Sequence, residues 1–124
     1  MKTSYFSKYK DADGISICAN KPYWFSGKVY PDLYPKWSFL SQYKIDGNED
    51  RYEKEYYAQV LNKLDPQKVY DDLKDSVLLC YEKSGKFCHR RLVAEWIENE
   101  LGVEVPEICI MKSILGKKSV NLEF

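Results

Sequence analysis

The run Ser76-Val77-Leu78-Leu79-Cys80-Tyr81 constrains this chain more than any other stretch. Consecutive apolar side chains without polar alternation describe a strand covered on both faces, as in a parallel sheet. The run is too short to cross a membrane. Gly85 follows in a polar turn, where glycine reaches backbone angles closed to other residues. Beyond it Leu92, Val93, Trp96, Ile97 and Leu101 share one face of a helix. At about 100° per residue, His89 projects near the centre of that face and Arg90 near its edge. Arg91 points the opposite way, one turn from Glu95. The pattern therefore predicts His89 against a sheet, Arg90 reaching over the strand ends and Arg91 in solvent.

A helix start leaves backbone N–H groups unpaired and carries partial positive charge. Placed after a strand of an open α/β sheet, it favours anions. Lys83, Lys86 and Arg90 add full charge nearby, and Glu82 sits between strand and turn. A Cys88 thiolate at this end would be stabilised. The plainer possibility is that Cys80 and Cys88 are small core residues and His89 a satisfied core imidazole.

Nineteen basic and nineteen acidic residues cancel, which argues against broad, sequence-blind nucleic-acid binding. A length of 124 residues suits one domain, residues 1–124, with a real core. Neither a signal peptide nor a membrane span is visible, so a cytoplasmic protein with no membrane partner is expected. Cysteines at 18, 80, 88 and 109 form no Cys-x-x-Cys pair and are expected as free thiols. Zinc on Cys80, Cys88, His89 and Cys109 can be written down, but the usual close ligand pair is missing. No metal and no cofactor are expected.

Lys2 to Tyr9 alternates weakly as a first strand, and Ile15 to Cys18 forms a second that Pro22 prevents from continuing. Tyr23 to Trp37, dense in aromatics and proline, reads as a long structured loop. Asp50 is the expected cap of a helix from Arg51 to Leu64. Asp65-Pro66 opens another helix, and Gly102 stops the one after Cys88. Val103 to Val105 is expected as a strand closing a β-α-β unit. Ile108–Met111 and Ser119–Leu122 suit a hairpin or edge strands. The fold class is α/β, with a mostly parallel central sheet flanked by helices in three layers.

The block Leu78-Leu79-Cys80-Tyr81-Glu82-Lys83, then Cys88-His89-Arg90, then Val93-Ala94-Glu95-Trp96 resembles the signature of the domain of unknown function 488 family, small bacterial and phage proteins. Ile15-Ser16-Ile17, Pro22-Tyr23-Trp24-Phe25 and the tyrosine-rich helix fit one branch of it. The resemblance spans roughly residues 1 to 107. It implies a compact α/β domain with the cysteine-histidine-arginine block at the carboxyl edge of the sheet, and it supplies no established activity. Cys18-Ala19-Asn20-Lys21 departs from the pattern, because related chains carry an arginine after this strand. Lys21 stands in its place without arginine's bidentate grip.

Three functions compete on these residues. A phosphate-bearing ligand, nucleotide-derived or a nucleic-acid end, would be held by Lys21, Glu82, Lys83, Lys86 and Arg90, with Tyr23, Trp24 or Tyr30 stacking on a base. A thiol enzyme would use Cys80 or Cys88 as nucleophile with His89 as base. Here Cys80 pairs better, because adjacent helical residues diverge by about 100°. A phage module binding a host protein would use the exposed aromatics.

Overall fold

The computed structural model describes residues 1–110 and 121–123, with side chains through residue 108. In chain order the strands are β1 (Lys2–Tyr5), β2 (Gly14–Ser16), β3 (Lys28–Val29), β4 (Val77–Cys80), β5 (Ile108–Ile110) and β6 (Asn121–Glu123). The helices are α1 (Trp37–Asp46), α2 (Glu49–Gln59), α3 (Pro66–Leu73) and α4 (His89–Leu101). Four strands form a parallel sheet in the order β1-β4-β2-β3. The apolar run is thus an inner strand, with Leu78 paired to Thr3 on one side and Ile15 on the other. All four residues of β4 are buried. The run stops one residue early, since Tyr81 is 46% exposed and its hydroxyl donates to the Asn20 carbonyl.

Alternation along β4 divides the interior. Leu78 and Cys80 join the main core, which also takes buried side chains from all four helices, among them Phe39, Tyr56, Leu73 and Ile97. Val77 and Leu79 point the other way and pack with Phe6, Tyr9, Phe25 and Ile108. Among the described residues, the layer on that second face is therefore made of loop aromatics and the start of β5. The rings of Trp24, Phe25 and Tyr81 all meet Phe6 edge-on, the arrangement aromatic quadrupoles favour.

Several elements differ from expectation for identifiable reasons. Asn48, not Asp50, caps α2, its Oδ1 accepting the Arg51 N–H at 3.0 Å. The helix ends at Gln59, and Leu61–Lys63 tightens into a 3₁₀ turn. Helix α1 was hidden by its mixed pattern, in which Phe39 alone is buried. Residues 103–106 form no strand. This segment is tied down by side chains, and a single parallel bridge joins Thr3 to Glu107. Asp65 does cap α3, and Gly102 ends α4 at φ +70°. β5 and β6 pair antiparallel as a hairpin, while Met111, Ser119 and Val120 lie outside the described residues.

The two arginines explain what replaces the missing strand. Arg90 is fully buried, and Glu107 is 2% exposed. Nε and Nη2 of Arg90 donate to the two Glu107 carboxylate oxygens at 3.0 and 2.7 Å. Thr3 and Ser84 hydroxyls donate to the same carboxylate at 2.5 Å each. Arg91 donates to Thr3 Oγ1 at 2.8 Å and to the Val105 carbonyl at 2.9 Å. Arg90 therefore does not reach over the strand ends, and Arg91 does not stand in solvent beside Glu95. Both clamp residues 105–107 to β1. The helical wheel placed each residue on α4 but could not know that a later segment folds over that edge.

Candidate active site

Three elements bring thiols and an imidazole together at the carboxyl ends of the inner strands, where open α/β sheets place their sites. Cys80 is the last residue of β4. Cys18 lies two residues past the end of β2, and its neighbour Ile17 still donates its N–H to the Leu79 carbonyl at 3.3 Å. Cys88 is the N-cap of α4 and His89 its first residue. The turn before α4 closes through Gly85 at φ +90°, a value that strains any residue with a side chain.

His89 is buried against the sheet, as its place on the helical face predicts. Its Nε2 lies 2.8 Å from the Ile17 carbonyl oxygen. A carbonyl only accepts, so Nε2 carries a hydrogen. Cys80 Sγ lies beside the ring, 3.6 Å from Nδ1 and 3.7 Å from Nε2. The ligating atoms of Cys18, Cys80 and His89 all fall within 4.8 Å of one another. Tyr56 packs edge-on against the imidazole at 5.5 Å and fixes its outer face. The Tyr56 hydroxyl is itself held by the Leu33 carbonyl at 2.6 Å.

Cys88 lies beside this group on the same cavity wall, in a conformation the helical wheel does not describe. The 100° divergence applies to two helical residues, but Cys88 has extended angles, φ −158° and ψ 145°. Its side chain is therefore not bound to the helical divergence from His89. Burial opposes ionisation of Cys88, yet hydrogen bonds from Cys80 and His89, with Arg90 behind, hold its thiol well below the usual range. The Cys80 thiol shares its hydrogen with Cys18 and brings that thiol down to about 6, against burial and helped by His89. Cys80 itself is pushed up by burial and stays a thiol. Burial disfavours charge on His89, but its contacts with Cys18 and Cys88 prevail and raise it to about 10. Burial and the adjacent Cys88 charge raise the Glu82 carboxyl to about 7. Within the cluster the Cys18 and Cys88 thiols are thus shifted down while the His89 imidazole and the Glu82 carboxyl are shifted up.

A cavity of about 300 Å³ opens over these groups. Cys18, Cys88, His89 and Glu82 reach its wall; Cys80 lies behind them. The rest of the lining is largely flat and apolar, with Trp37, Tyr43, Tyr52, Tyr81 and Phe87. Phe87 packs against Tyr43 and Tyr52 at 5.5 and 5.3 Å. Lys44 is the one lysine of the wall.

The other expected ligand residues lie elsewhere. Lys21, Lys83 and Lys86 are exposed and outside the cavity wall. Arg90 is committed to Glu107. Tyr23 is entirely exposed, and Trp24 sits on the Phe6 side with the Lys10 ammonium 3.7 Å above its ring. Tyr30 donates to Asp72 at 2.6 Å. Cys18 was the residue missed, although its place just after a parallel strand is the signal that would have found it.

The family described as the Active DUF488-N3 subclade, DUF488-N3a, matches residues 15–101. No curated protein and no solved structure matches this chain. No helix among the described residues is long and apolar enough to cross a membrane.

Proposed function

Since the chain belongs to the Active DUF488-N3 subclade of the DUF488 family, we propose that it is a thiol-dependent enzyme with Cys88 as nucleophile. The observation that supports this reading most is the convergence of Cys88, Cys18 and His89 on one wall of an aromatic cavity, with Cys80 directly behind. The family description's word "active" agrees with it. Cys88 sulfur would bond to an electrophilic carbon of the substrate, and the bond to the leaving group would break with its electron pair. Glu82, at the rim, is positioned to give that group a proton. Water would then cleave the thiol adduct, with the Glu82 carboxylate taking its proton. Trp37, Tyr43, Tyr52 and Phe87 suit a flat, mostly uncharged portion of the substrate. His89, paired with Cys88, keeps the sulfur ionised and aimed.

A phosphate-bearing ligand, the other class the sequence suggests, has less support in this geometry. Its expected cations stand outside the cavity or are occupied, and Lys44 is the one that remains. The test is alkylation by iodoacetamide at neutral pH, mapped by mass spectrometry. Cys88 should react first, and faster than in the same chain unfolded in urea. His89→Gln should slow it by about tenfold or more, since one unit of pKa support is a tenfold change in thiolate. Cys88→Ser should remove the fast label while leaving the melting temperature within a few degrees. Cys88 reacting no faster than in urea would refute the assignment.

A further inference from the structure

The groups around the Cys88 sulfur have a second capability that does not require turnover. Cys18, Cys80 and His89 come from three rigid places: the end of β2, the end of β4 and the start of α4. Two soft sulfurs and an imidazole are the donor set that thiophilic divalent ions prefer. Tetrahedral zinc, with Zn–S about 2.3 Å and Zn–N about 2.0–2.1 Å, places sulfur and nitrogen about 3.6 Å apart and two sulfurs about 3.8 Å apart. Cys80 Sγ and His89 Nδ1 are 3.6 Å apart already. All three donor atoms lie within 4.8 Å, so closure needs sulfur movements of at most about 1 Å and a small turn of the ring.

The tautomer also fits. Nε2–H is engaged by the Ile17 carbonyl at 2.8 Å, so Nδ1 is the nitrogen that would give up its proton and coordinate, metal binding releasing that proton. A ligating histidine typically has its other nitrogen anchored in this way. The cavity supplies an entry path, because Cys18 and His89 lie on its wall. Linear spacing gave no hint of this, since Cys18 and Cys80 are remote in sequence and meet only through the pairing of β2 with β4.

We propose that Cys18, Cys80 and His89 form a three-ligand binding site for a soft divalent ion of the zinc class, with the fourth position open to the cavity. The proposal shares His89 with the thiol reading and rests on the same cluster, and metal binding would silence that chemistry by taking His89 away from Cys88. A zinc-loaded chain and a metal-free chain would then be the resting and reactive forms of one site.

The experiment uses zinc chloride alone, followed by gel filtration and elemental analysis, and cobalt(II) as an optical probe of thiolate ligation. The expected result is about one zinc per chain and intense sulfur-to-cobalt charge-transfer bands. Cys18→Ser and Cys80→Ser should each weaken binding by more than about 100-fold, consistent with losing a ligand where even supporting contacts are worth 10–100-fold. Cys109→Ser should bind as the parent does. If Cys80→Ser fails to fold, the partly exposed Cys18→Ser decides the question, with a thermal melt confirming its fold. Zinc retained at parental affinity in Cys18→Ser, or less than about a tenth of an equivalent in the parent, overturns the site. Fast alkylation of Cys88 in chelator-treated protein reports separately on the thiol reading. A zinc failure with fast alkylation removes only the metal, and zinc binding with slow alkylation removes only the enzyme.

Discussion

Replacing Glu107 with alanine tests the lock that holds the second arm of the chain against the sheet. The substitution removes the acceptor of four hydrogen bonds, two from Arg90 and one each from Thr3 and Ser84. It also leaves the guanidinium of Arg90 at zero exposure without a counter-charge. Arg90 Nη1 already has no hydrogen-bond partner among the described residues, and the Tyr5 ring, 5.8 Å from the guanidinium carbon, offers it no counter-charge. Breaking one side of a buried ion pair costs about 3–5 kcal/mol. The folding constant should therefore fall by about 150- to 5,000-fold. Urea unfolding followed by tryptophan fluorescence and circular dichroism measures it, with an unchanged m-value required for the comparison. Acid titration supplies a second check. Burial tends to raise the Glu107 carboxyl, but Arg90, Ser84 and Thr3 hold it below its ordinary value. A depressed folded-state pKa means that its stabilisation is present above the unfolded carboxyl pKa of about 4.3 and is lost as pH falls through the lower folded value. Glu107→Gln should remove that part of the acid sensitivity. A loss below about 1 kcal/mol in Glu107→Ala would place the pair among exposed bridges and refute the lock.

Two further outcomes follow from the same geometry. Tyr56→Phe strands the buried Leu33 carbonyl that its hydroxyl satisfies and should cost about 1–3 kcal/mol, read as a lower urea midpoint with native spectra retained. Gly102→Ala puts a side chain at φ +70° with open space around it, so backbone strain alone acts; a loss of about 1 kcal/mol is expected, and an unchanged midpoint would contradict it.

The inner strand, the helix after Cys88 and the buried place of His89 were legible because each follows from a local period: an unbroken apolar run, or a stripe repeating every three to four residues. The caps at Asp65 and Gly102 were legible for the same reason. What escaped depended on partners far away in sequence. Arg90 and Arg91 were assigned opposite fates from the wheel of α4 alone, yet Arg90 is claimed by Glu107 and Arg91 by Val105 and Thr3. Cys18 joins Cys80 because β2 and β4 pair, a fact no spacing rule contains. Cys88 and His89 share one cavity wall, and the extended cap residue escapes the divergence that two helical neighbours would have. The wall aromatics Tyr43 and Phe87 read as unremarkable in sequence, and only their meeting makes a cavity.

The strand order has a consequence for the timing of assembly. β1 and β2 are not neighbours; both pair with β4, which lies some sixty or more residues later in the chain. While a ribosome is still extending the chain short of residue 77, neither early strand has its β4 partner, and Cys18 has no Cys80 or His89 to meet. Long-range parallel pairing of this kind is slow to nucleate, because loop closure precedes any reward from contact. β1 therefore has no strand partner until β4 is made, and β2 has only β3 beside it, edges of the kind open to pairing with other chains. Their brevity, four residues in β1 and three in β2, limits that exposure. The cysteine–histidine cluster can come into being only once the chain has been made through His89.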